Sequence, residues 1–218
     1  MKKMVTGVVA ALLLTIGASG AVLASEGMEI EAGGKLWLNS AKTSGDGFSD
    51  SSNMAIMIGP AASVKFSNNV FVDGSIMTTA TKYKFSDSSA EISRMDIDLA
   101  VGYSFMPNVG AYAGYRNISI SGDIKSTSSG PLVGVRGSAP VMEALKVYGD
   151  LAYLMFTDKP DGGSSESAPG FGLEAGVKYE FAKNLEGGVG YKMEQTKGAD
   201  SKVTSTFSGL VLDVMYKF

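Results

Sequence analysis

Thr206-Phe207-Ser208-Gly209-Leu210-Val211-Leu212-Asp213-Val214-Met215-Tyr216-Lys217-Phe218 closes the chain. Counted back in twos, Phe218, Tyr216, Val214, Leu212 and Leu210 are all apolar. The interleaved row, Lys217, Met215, Asp213, Val211 and Gly209, is smaller or more polar. Successive side chains of a strand point to opposite faces, so this segment reads as a strand with one greasy and one mixed face.

The same two-row pattern recurs upstream. Between Ile92 and Phe105 the row Met95, Ile97, Leu99, Val101, Tyr103, Phe105 opposes Arg94, Asp96, Asp98, Ala100, Gly102, Ser104. Charge at every second position excludes a helical period. From Phe171 to Phe181 a second unbroken apolar row opposes Gly172, Glu174, Gly176, Lys178 and Glu180. Weaker versions cover Met28–Asn39, Met54–Phe66, Val70–Tyr83, Val109–Ser119, Pro131–Ser138, Leu145–Phe156 and Leu185–Glu194, which makes about ten strands. Eight would remain if the segments holding Pro60 and Pro131 were not full strands; Pro inside a strand implies an edge or a bulge. Turns near Asn68, Pro107, Pro140 and Lys183 are short. Connections near Gly45, Asp87, Gly122, Gly162 and Ala199 are longer and polar.

An export signal precedes the pattern. Met1-Lys2-Lys3 is a basic start, an apolar stretch follows, and Val22-Leu23-Ala24 offers a cleavage site. Residues 1–24 are therefore expected to be a secretory signal peptide, with residues 25–218 forming one domain. An N-terminal membrane anchor is the alternative, but its apolar centre is short. The chain has neither Cys nor His, and its net charge is −3. Without Cys there is no disulfide framework. The acidic balance argues against nucleic acid as a partner.

Alternating strands, short turns opposite long polar connections, and a terminal Phe behind an apolar row together resemble the small bacterial outer-membrane β-barrel superfamily of OmpA-like and OmpX-like barrels. The resemblance implies an up-and-down antiparallel transmembrane barrel in the outer membrane of a Gram-negative bacterium, reached through the periplasm. It implies contact with outer-membrane lipid. It also makes Leu210, Leu212, Val214, Tyr216 and Phe218 the signal read by the barrel-assembly machinery. Phe66, Tyr103, Phe105, Tyr179, Phe181, Tyr216 and Phe218 would form an aromatic girdle at the turn end. A soluble periplasmic β-sandwich is the competing fold.

No catalytic residue, cofactor site or metal site is expected. Barrel enzymes that this chain resembles in fold use His, and His activation is absent here. Asp96 and Asp98 could mimic a catalytic carboxylate pair, but an ion-pair row is favoured. Asp46, Asp50, Asp158 and Asp161 would bind a hard cation only weakly. The informative set is the inward row: Arg94, Asp96, Asp98, Arg116, Arg136, Asp150, Glu174, Lys178, Lys192 and Glu194. Folding about the turns sets Asp98 opposite Arg116, Glu174 opposite Lys192, and Arg136 diagonal to Asp150, and such opposite charges attract across strands. Balanced signs favour a plug of ion pairs, hence a non-enzymatic structural or surface barrel. The alternative is a narrow porin-like channel for ions or small solutes. The polar loops carry no recognisable ligand motif.

Overall fold

A computed structural model describes residues 27–218. The expected signal peptide, 1–24, lies outside the described residues. Twelve strands run in chain order: β1 (Glu29–Gly45), β2 (Phe48–Ser51), β3 (Ala55–Lys65), β4 (Val70–Thr79), β5 (Tyr83–Lys84), β6 (Glu91–Met106), β7 (Val109–Gly122), β8 (Ser126–Met142), β9 (Leu145–Pro160), β10 (Glu166–Ala182), β11 (Leu185–Lys197) and β12 (Thr204–Lys217). Ten of them form an antiparallel sheet that closes on itself, because β12 pairs with β1 from Glu31↔Lys217 to Ser44↔Thr204. Closure satisfies every strand edge, which a bilayer core demands. It also excludes the sandwich. The short β2 and β5 are not part of the closed wall: β2 pairs with β1 and β5 with β6.

Neither Pro60 nor Pro131 removes a strand or inserts a bulge. β3 keeps one register against β4 on both sides of Pro60, losing only the rungs at Gly59 and Pro60. β8 does the same against β9, losing Gly130 and Pro131. Each proline lacks an N–H on one side only, and its other neighbour still pairs: Pro60 with Gly34, Pro131 with Tyr115. Bulges occur instead at the base of three short hairpins, at Ser104/Met106, Pro140/Met142 and Glu180/Ala182. Asn69 and Asn184 take positive φ, 66° and 67°, in two of the short turns; Asn tolerates that conformation better than most residues.

The outward row is exposed along the middle of the wall, as a lipid-facing band requires. Ile97, Leu99, Val101, Tyr103 and Phe105 of β6 and Leu210, Leu212, Val214 and Tyr216 of β12 all stand open. Tyr103, Phe105, Tyr179, Phe181 and Tyr216 are roughly half exposed at the turn end, and Phe218 packs edge-on to Tyr216 at 5.0 Å. Phe66 and Phe218 are less open than the rest of that girdle.

Several strands run well past this band. Segments expected as loops, Ser40–Asn53, Ser121–Gly130 and Thr157–Ala168, are mostly paired strand. The connection after β9 shrinks to residues 161–165. Above the bilayer the outward face meets water, so Ser, Thr and Lys occupy it and the apolar signature vanishes while the ladder continues.

Candidate functional site

The lumen is the candidate site, and it has three features. Nearest the long connections it is filled by apolar side chains. Trp37, Ala41, Ala55, Met57, Met77, Tyr83, Phe85, Ile92 and Val211 form one cluster, with Phe207 and Ile120 against it. Ile118, Leu132, Ala152, Leu154 and Phe156 form a second. Tyr83 and Phe85 belong to the connection between β4 and β6, which folds back over the mouth. The Tyr83 hydroxyl is fully buried and donates to Asn39 Oδ1 at 2.6 Å. Two carboxylates outside the membrane brace such connections. Asp50 accepts the N–H groups of Asp87 and Ser88, and Glu166 accepts those of Asp200 and Ser201. The Asp87 backbone bond holds the Asp50 carboxyl below its ordinary pKa, and the Ser201 bonds do the same for Glu166.

The middle level is the ion network. Arg94 Nε and Nη2 donate to both oxygens of Asp96 at 2.7 Å, and Nη2 also reaches Glu194 at 2.6 Å. Its guanidinium lies 4.2 Å from the Phe207 ring centre and 5.3 Å from that of Trp37. Such stacking compensates a desolvated cation by about 2 kcal/mol or more. Arg116 bonds Asp98 through Nε and Glu194 through Nη1. Lys192 Nζ sits 3.0 Å from Glu194. Glu194 thus gathers three cations, and Arg94, Asp96 and Glu194 are each at most 4% exposed.

The expected pairs are partly realised. Asp98 does lie opposite Arg116 and bonds it, which leaves Asp96 opposite Ile118. Glu174 lies opposite Lys192 in register, but Lys192 turns to Glu194 and Glu174 accepts from the Tyr148 hydroxyl at 3.1 Å. Arg136 is directly opposite Asp150 rather than diagonal to it, yet its ion pair is with Asp73, and Asp150 accepts from Tyr112 instead. Lys178 pairs with Glu186 at 3.2 Å. The two tyrosines reach across because Gly134, Gly176 and Gly190 leave room beneath their rings; a Cβ at any of the three would strike them. The third feature is a cavity of about 510 Å³ that runs from the underside of the apolar clusters, at Leu132, Leu154 and Val211, past Arg116 and Glu194 to the short-turn end, where Pro107, Asn108 and Lys217 line it.

Asp96 and Asp98 are each engaged by an arginine, Asp96 by Arg94 and Asp98 by Arg116. Of the four loop aspartates, Asp50 braces backbone and Asp158 accepts from Ser128. No three acidic groups converge on a metal-sized site among the described residues.

The apolar upper plug went unread in the sequence. Its signal was available, because parity continues: in β9 the inward row Lys146, Tyr148, Asp150 runs on into Ala152, Leu154 and Phe156. Asp73, Glu186, Tyr112, Tyr148 and Trp37 likewise sit on inward rows whose parity places them in the network.

The family model of the outer membrane protein beta-barrel domain matches residues 8–218. The chain belongs to that family. It is a protein of the Gram-negative outer membrane. No curated protein matches it in sequence. Among solved structures, the outer membrane protease OmpT from Escherichia coli is similar with a TM-score of 0.67 at 14% identity, covering 87% of this chain and 97% of the protease. That identity makes the likeness one of fold and not of activity. The translocator domain of the autotransporter NalP from Neisseria meningitidis matches with a TM-score of 0.49 at 12% identity, covering 98% of each chain. Neisserial surface protein A matches with a TM-score of 0.39 at 19% identity, covering 88% of this chain and 97% of that one.

Proposed function

We propose that this family member is a sealed, non-enzymatic barrel whose braced outer ends meet molecules at the cell surface or stiffen the membrane. The observation that carries the reading is the stack inside the wall. Trp37, Met57, Tyr83, Phe156 and Leu154 are almost wholly buried, and Trp37 packs against the ion network, in which Arg94 and Asp96 are equally buried. A hydrated ion crossing that stack would have to displace packed apolar side chains and break charge-assisted bonds together. Absence of His supports the non-enzymatic half. The C-terminal strand is proposed to carry the assembly signal. Its outward row is open to lipid, and the Phe218 N–H bonds Ile30 O, tying the last residue to the first strand. A liposome-swelling assay with a small sugar tests the seal. Swelling no faster than in protein-free vesicles is expected; swelling that scales with protein content contradicts it and favours the channel.

A further inference from the structure

The cavity has a built end. Lys35 of β1 and Asp213 of β12 face one another in register across the seam where the barrel closes, both on inward rows. They do not join. Asp213 is 6% exposed and its Oδ1 has no hydrogen-bond partner among the described residues; Lys35 makes no ion pair there either. Two residues further along β1, about 7 Å by strand rise, Trp37 Nε1 is a second buried atom without a partner. All three residues line the cavity. An unsatisfied buried carboxylate oxygen and indole N–H each cost roughly 1–3 kcal/mol. Here one acceptor, one donor and one ammonium are left open on the lining of one cavity, with Lys192 Nζ 4.6 Å over the Trp37 ring. Room is kept for Asp213 by Gly188, where an added Cβ would collide with its carboxylate. Beyond them the cavity ends on Met77, Leu132, Leu154 and Val211, which are apolar.

We propose that this end of the cavity binds a small zwitterion of the α-amino-acid class, entering from the periplasm, with an aliphatic side chain. The ammonium group donates to Asp213 Oδ1. The carboxylate accepts from Lys35 and is within reach of Trp37 Nε1. The side chain packs on the apolar end. Water could satisfy the polar atoms singly but would gain nothing from that apolar surface, so side-chain preference separates ligand from solvent.

Trp37 is the one tryptophan of the chain, so its fluorescence reports this end of the cavity directly. Refolded full-length protein in detergent, where both ends are accessible and conductance plays no part, is titrated with L-leucine. A saturable change is expected, at least tenfold weaker with glycine. N-acetyl-L-leucine, which lacks the cation, and L-leucinamide, which lacks the anion, should each bind at least tenfold more weakly than L-leucine. Asp213→Asn, Lys35→Met and Gly188→Ala should each raise the dissociation constant at least tenfold while retaining the gel shift of a folded barrel. No saturable change with L-leucine overturns the proposal. So does equal affinity for L-leucine and its two derivatives, a comparison that needs only the wild-type protein, or unchanged affinity in folded variants. Because the seal plays no part in this binding, a conducting barrel that still binds leucine would reject the proposed function and leave the pocket standing.

Discussion

Arg116 faces two carboxylates at once, Asp98 and Glu194, with little water around them. Replacing one member of a buried pair leaves its partner charged and uncompensated, which costs about 3–5 kcal/mol. Arg116→Ala should therefore weaken the barrel by that order in urea unfolding from lipid vesicles. Adding Asp98→Ala should restore part of the loss, since Glu194 keeps Arg94 and Lys192. A coupling above about 0.5 kcal/mol marks an enclosed network. Simple additivity, with a pair worth only about 0–1 kcal/mol, marks solvated charges and contradicts the sealed reading. Alternation made these charges legible because polar residues on every second position of a lipid-facing strand have only the lumen to occupy. Their exact partners were not legible. Side-chain reach decides them: Arg136 passes over its register neighbour Asp150 to Asp73, and tyrosine hydroxyls take the carboxylates that Arg136 and Lys192 were expected to hold.

A second residue-scale prediction concerns acid. Asp50 and Glu166 have folded pKa values below their ordinary ones, so they bind fewer protons folded than unfolded near those values. Their contribution is present above an unfolded carboxylate pKa of about 4 and disappears as pH falls through the lower folded values. Protection of the Asp87, Ser88, Asp200 and Ser201 amides against hydrogen exchange, corrected for intrinsic rates, should be high at pH 6 and fall at pH 3. Asp50→Ala should abolish it for Asp87 and Ser88 already at pH 6 and leave Asp200 and Ser201 unchanged. Equal protection at both pH values would disprove the carboxylate brace.

At the scale of the element, β12 bears the most consequence, because it closes the wall on one side against β11 and on the other against β1. Phe218→Asp puts a charge into the lipid-side girdle and spoils the terminal apolar row. It should lower the amount in the outer membrane severalfold, whereas Ser164→Asp in the connection after β9 should leave it unchanged. Equal levels of the two variants on heat-modifiability blots would count against β12 as the assembly signal. Strand number and order were readable because each lipid-facing row alternates. Strand length was not. Where β8, β9 and β10 leave the bilayer the outward face becomes Ser, Thr and Lys, so no apolar row remains to mark the strand. Ser126–Gly130 and Thr157–Pro160 therefore look like loop while continuing the ladder. The plug was hidden because both rows of β9 are apolar there, inward Ala152, Leu154 and Phe156 beside outward Leu151, Tyr153 and Met155.

For the whole molecule, a closed sheet with a packed interior should resist detergent as a unit, so the unboiled protein should migrate faster than the boiled one on a denaturing gel. Closure itself was legible in the sequence through an even strand count and two lengths of connection. Whether the enclosed space conducts was not, because that turns on Tyr83 and Phe85 folding back into the mouth from a segment that reads as a strand end and polar loop. The decisive measurement is single-channel recording of the refolded protein in a planar bilayer. A sealed lumen predicts a flat trace at moderate voltage for protein shown by gel shift to be folded. It also predicts that Tyr83→Ala with Trp37→Ala, which empty the upper plug, introduce discrete openings. Reproducible conductance steps from the unmodified protein would contradict the account.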